Sequence, residues 1–109
     1  MELTQLTQEI YAVSKRLEKA STALYKLGDE KAETERVYRL RLTQEILTLK
    51  AEGMPATLIS DVARGNVSDL RFQRDAAEAR YKAAIESLGA LKSQLSALQS
   101  ILKYQESMG

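Results

Sequence analysis

The chain has 109 residues, enough for one domain, and its 44% hydrophobic and 28% charged residues are typical of a folded protein. Cysteine, histidine and tryptophan are all absent, which excludes disulfides, thiolate zinc sites and histidine-dependent catalysis. A formal net charge of +1 provides no global attraction to nucleic acid or to a membrane. The chain contains no apolar run of membrane-spanning length and begins without a signal-peptide pattern, so we expect a cytoplasmic protein with no membrane association.

The first half of the chain predicts a long helix over about residues 2–52. Apolar residues recur there in alternating steps of three and four, as on one face of a helix: Leu3, Leu6, Ile10, Val13, Leu17, Ala20, Leu24 and Leu27. The polar segment that follows allows two interpretations, because the helix either breaks at residues 28–29 or continues. An eleven-residue spacing favours continuation, since it keeps one face on a straight helix: Leu27, Tyr38 and Leu49.

The middle of the chain contains the clearest interruptions. Gly53 is expected to end the first helix, and Pro55 suits the start of a short helix over about residues 55–64. Gly65 is expected to end that short helix, and Asn66 to cap the next one. We expect both glycines to adopt a positive φ.

The last third predicts a single helix over about residues 67–106. Ten of eleven positions in alternating steps of three and four are apolar, and the exception is Arg74. These eleven positions form the core stripe of the helix: Val67, Leu70, Arg74, Ala77, Tyr81, Ala84, Leu88, Leu91, Leu95, Leu98 and Leu102.

Two long helices joined by a short one predict an all-α fold, a coiled-coil-like antiparallel hairpin forming one domain over residues 1–109. A second stripe of alanines, seven residues apart, runs beside the core stripe of the last helix, and one partner helix would leave it uncovered. We therefore expect a homodimer or higher oligomer, with the dimer forming a four-helix bundle. The residues expected at this contact are Ala83, Ala90, Leu91, Leu95, Ala97, Leu98 and Ile101.

The residue types predict a protein that is not an enzyme. Paired carboxylates occur at Glu33 and Glu35, but they lie in the most polar part of the chain, whereas a general acid needs a buried or like-charged setting. No phosphate-binding glycine-rich loop is present. We expect no catalytic residues, no cofactor and no metal ion.

Several arginines near the predicted turn suggest a second function, contact with nucleic acid. The guanidinium group suits phosphate because of its forked geometry. The candidates are Arg36, Arg39, Arg41, Arg64, Arg71 and Arg74. The alternative is ordinary surface ion pairing, which is favoured by charges of alternating sign four residues apart: Arg74, Glu78, Lys82 and Glu86.

The segment LKAEGMPATLISDVARGNVSDLRFQRDAAEARYKAAIESL, within about residues 49–90, resembles small helical proteins of phages and prophages of Gram-positive bacteria. The shared pattern is a helix, a Gly-x-Pro break, a short apolar turn, a step of Ala, Arg or Lys, and Gly, and a long helix. This resemblance implies a phage setting inside a bacterial cytoplasm. It implies two roles: an inhibitor that binds a host protein such as a defence protein, or an accessory factor in phage DNA replication or recombination.

Overall fold

The computed structural model describes residues 1–108 and contains three helices. Helix α1 comprises Leu3–Ala51, α2 comprises Ala56–Asn66 and α3 comprises Ser68–Met108. The described residues contain no strand. The predicted fold class is confirmed: the chain is an all-α helical hairpin in which a short helix occupies the turn.

Helix α1 is continuous through Gly28, so the unbroken alternative is the one observed. Its polar middle is stabilised by ion pairs along the helix, which link Glu33 to Arg36 and Glu35 to Arg39. Such pairs, three and four residues apart, support a helix where no apolar residue is available to pack.

Gly28→Ala is expected to raise the free energy of unfolding by about 0.5–1 kcal/mol, because glycine is a poor residue inside a helix. An added methyl group would meet Tyr81 Cε2 at 3.4 Å, an ordinary contact distance. Gly89→Ala is the matched control, since its methyl group would meet nothing within 4 Å. Urea denaturation should show both variants stabilised, and a loss confined to Gly28→Ala would mean that the Tyr81 ring cannot accommodate the methyl group.

The helices contribute to two compact units. Unit 1 contains residues 1–26 together with the chain from Lys82 onward. Its core contains the buried side chains of Leu6, Val13 and Leu98. Four partly buried residues pack against them: Ile10, Leu91, Leu95 and Leu102. These are the apolar stripes expected from the sequence, so the periodicity identifies this core.

Unit 2 is the continuous segment Leu27–Tyr81, which includes the turn of the hairpin. Its core contains Leu49 of α1 with Ile59 and Ala63 of α2. Four partly buried residues complete the cluster: Leu42, Ile46, Met54 and Val62. The short helix therefore anchors the end of α1 by burying its apolar face.

The two interruptions in the middle of the chain differ from each other. Gly53 has a φ of 85°, as predicted, and lies between α1 and α2. The predictions for Gly65 and Asn66 are wrong, because both residues lie inside α2. The backbone N–H of Val67 bonds the Ala63 carbonyl, which extends α2, and the Val67 carbonyl in turn accepts the first N–H bonds of α3. With one residue joining the two helices, neither a positive φ nor an Asn66 cap is needed.

Opposite effects are expected from adding one methyl group at these two glycines. Gly53→Ala should lower the free energy of unfolding by about 1–3 kcal/mol, because alanine is strained at a positive φ. Gly65→Ala should raise it by about 0.5–1 kcal/mol, since the site is helical and an added methyl group meets nothing within 4 Å. Thermal melts of the two variants check this contrast in sign.

Candidate functional site

A polar layer in unit 2 surrounds Arg74, the charged exception in the core stripe of α3. The Arg74 guanidinium carbon lies 4.4 Å from the centroid of the buried Tyr38 ring. Its Nη2 donates to Asp75 Oδ1 at 2.9 Å, and its Nε lies 3.5 Å from Glu35 Oε2. The Asp75 hydrogen bond, opposed by desolvation, raises the pKa of Arg74 above its usual value. The core stripe therefore accommodates an arginine because its guanidinium group contacts the Tyr38 ring and two carboxylates, those of Glu35 and Asp75.

A groove of about 520 Å³ adjoins this layer within unit 2. It is lined by Gly28, Lys31, Ala32, Glu35, Arg74, Glu78 and Tyr81. Lys31 Nζ lies 5.4 Å from the Tyr81 ring centroid, which repeats the cation–ring contact of Arg74. Acidic and basic side chains both line the groove, and the cations already face rings or carboxylates. This arrangement suits a structural layer that fixes how the helices of unit 2 pair.

The arginines predicted to contact nucleic acid are mostly engaged with carboxylates. Arg36 bonds Glu33 at 2.7 Å, and this hydrogen bond lowers the pKa of the Glu33 carboxyl. Arg71 Nε lies 3.9 Å from Asp75. Surface pairing of this kind lowers the positive potential that would attract phosphate.

The structure brings some of these arginines together and not others. Glu35 links Arg39 with Arg74, and Asp75 links Arg71 with Arg74. Arg36 pairs separately with its own glutamate. The remaining two, Arg41 and Arg64, are exposed, and none of the ion pairs found within the described residues includes them.

Unit 2 contains a second groove of about 470 Å³, and half of the residues that line it are apolar. Its lining residues come from α1, the joining residue and the ends of α2 and α3: Val37, Leu40, Arg41, Gln44, Asn66, Val67, Asp69 and Leu70. Leu40 is 52% exposed, and Leu47, seven residues further along the same face of α1, is 60% exposed. Sequence reasoning missed this groove, because its lining comes from three helices and no single sequence pattern indicates it.

The residues predicted for self-association lie in two different environments. Leu98 is buried in the unit 1 core, and Leu91 and Leu95 pack against that core. The other four are exposed on α3: Ala83, Ala90, Ala97 and Ile101. The structure therefore assigns the leucines to folding of unit 1 and leaves the exposed four without a partner helix in unit 1.

No protein-family model, curated protein or solved structure matches this chain, so its function is inferred from its own residues. Within residues 1–108, no helix combines the length and apolar character needed to cross a membrane. The same residues contain no group of three acidic side chains placed to hold a metal ion.

Proposed function

We propose that this chain is a non-enzymatic protein that acts by binding another protein through the second groove of unit 2. The observation behind the proposal is the exposed leucine Leu40, which lines this groove together with three further apolar residues, Val37, Val67 and Leu70. Covering a water-exposed leucine that has apolar neighbours is favourable in free energy, and exposed apolar patches mark interaction sites.

The groove suits a partner with both apolar and charged side chains. Val37 and Leu70 offer apolar contacts, while Arg41 and Asp69 place one charge of each sign at the lining. A partner helix with apolar residues at one-turn spacing and flanking charges fits this chemistry. The resemblance of residues 49–90 to phage proteins supports a phage or host protein as the partner, in a bacterial cytoplasm.

Capture from an extract of a Gram-positive bacterium tests the proposal with matched variants. The wild-type chain should retain a specific protein, and Leu40→Ser should retain at least tenfold less of it. Leu58→Ser is the control, because Leu58 is also 52% exposed in unit 2 but does not line the groove. Equal retention by all three proteins would contradict the assignment to this groove.

Nucleic-acid binding is distinguished by a separate measurement. If the chain contacts phosphate, its affinity for a labelled DNA duplex should fall steeply as salt rises. Replacing Arg41 and Arg64 by glutamine should then weaken binding further. We expect no such salt-dependent binding, and its detection would favour the nucleic-acid alternative.

A further inference from the structure

Helix α3 has a second face in unit 1 that contains no charged residue. It follows alternating steps of four and three residues, offset from the core stripe by about a third of a turn. All eight of its positions are exposed: Ala83, Ser87, Ala90, Gln94, Ala97, Ile101, Tyr104 and Met108. We call these eight positions the neutral face.

The neutral face is distinct from the surface that α3 uses within its own chain. Leu91, Leu95 and Leu98 of the core stripe pack with the α1 residues of unit 1. By contrast, Tyr104 is 66% exposed and Met108 is 71% exposed. In a chain with 28% charged residues, a charge-free face that leaves large side chains in water suits contact with another helix.

The order of side-chain sizes along the neutral face indicates what could cover it. Small residues occupy its N-terminal part, where Ala83, Ser87 and Ala90 lie. Large residues occupy its C-terminal part. A second copy running in the opposite direction would therefore place large side chains over small ones along the whole contact. The opposed pairs would be Ala83 with Met108, Ser87 with Tyr104, Ala90 with Ile101, and Gln94 with Ala97.

A parallel copy would not fit in this way. Large residues would meet large ones at one end, and small residues would leave gaps at the other, contrary to the close packing of helix interfaces. The antiparallel arrangement also avoids contact between like charges. At the edge of the contact it places Glu86 opposite Ser107, and Ser93 opposite Ser100.

We propose that the neutral face binds the neutral face of a second copy, with the two α3 helices antiparallel about a two-fold axis between Gln94 and Ala97. The contact is isologous, so the same residues serve both copies. It uses none of the residues of the groove proposed for a partner protein, and the two proposals can fail independently.

Light scattering during gel filtration tests the association. At tens of micromolar the wild-type chain should have twice its 12.2 kDa mass. Ala90→Glu places a carboxylate opposite Ile101 in both copies and should weaken dimerisation at least tenfold. Ser96→Glu is the control, because Ser96 is exposed on α3 but lies off the neutral face, and this variant should remain a dimer.

Circular dichroism of each variant separates loss of association from loss of folding, and Tyr104→Glu provides a second disruption if Ala90→Glu does not fold. A monomeric wild-type chain would overturn the proposal. Persistence of the dimer in a folded Ala90→Glu variant would also overturn it, as would its loss in Ser96→Glu.

The absence of cysteine from the chain allows a test of orientation. A mixture of Ala90→Cys and Ile101→Cys chains should form a disulfide between the two variants, because the antiparallel contact opposes these positions. Ala90→Cys alone should not cross-link, since its two copies would lie about 16 Å apart along the helices, beyond disulfide reach. Efficient cross-linking of Ala90→Cys with itself would overturn the antiparallel arrangement.

Discussion

Leu6→Ala is expected to lower the free energy of unfolding by about 2–5 kcal/mol, the range for removing a buried leucine side chain. Leu6 is fully buried in unit 1, where it forms the core with Val13 and Leu98. Truncation removes its apolar contacts and leaves a cavity in the core of unit 1. Urea denaturation followed by circular dichroism measures the change.

Leu3→Ala is the matched control for this prediction. Leu3 belongs to the same sequence stripe, one step earlier, but its side chain is 57% exposed. Its truncation should cost well under half as much as that of Leu6, because little contact area is lost. Equal losses for the two variants would mean that the cluster around Leu6 does not form the core of unit 1.

Periodicity predicted the fold because both long helices bury a single stripe. Val13 and Leu98 occupy stripe positions in different halves of the chain and meet in one core. This follows from the hairpin, since antiparallel helices place the start of one beside the end of the other. The short helix was predicted for a similar reason, as Ile59 and Ala63 are four residues apart and share one buried face.

The ends of the helices were less predictable. Residues typical of helix ends are recognised locally in the sequence, but hydrogen bonding in the folded chain decides which of them actually ends a helix. Gly65 is typical of a helix end by composition, yet α2 continues past it to Asn66. Asn66 does not cap α3 but donates a 2.7 Å hydrogen bond to Glu45 of α1. That contact joins residues 21 positions apart, and no short-range pattern indicates it.

The polar layer around Arg74 could not be predicted from the sequence either, because it too depends on contacts between residues far apart in the chain. Arg74 was recognisable as an exception in the core stripe, and a ladder along α3 was one explanation for it. Its contacts with Tyr38 and Glu35 depend instead on the register between α1 and α3 in unit 2. Register is set by packing along both helices, so it becomes visible only in the folded structure.

Tyr38→Ala is expected to lower the free energy of unfolding by about 3–5 kcal/mol, as for other buried aromatic residues. The Tyr38 ring is buried and lies beneath the Arg74 guanidinium group. Its removal therefore creates a cavity and leaves a half-buried cation without its ring. Tyr38→Phe is the control and should cost less than about 1 kcal/mol, because the ring and the cation contact are both retained.

A double-mutant cycle with Arg74→Ala separates the two parts of this effect. If the contact between ring and cation stabilises unit 2, the loss from Tyr38→Ala should be smaller by about 0.5–2 kcal/mol when Arg74 is already alanine. Additive losses would mean that Tyr38 acts only through its packing. Arg74 would then be retained in the core stripe by its carboxylate partners, Glu35 and Asp75, and not by the ring.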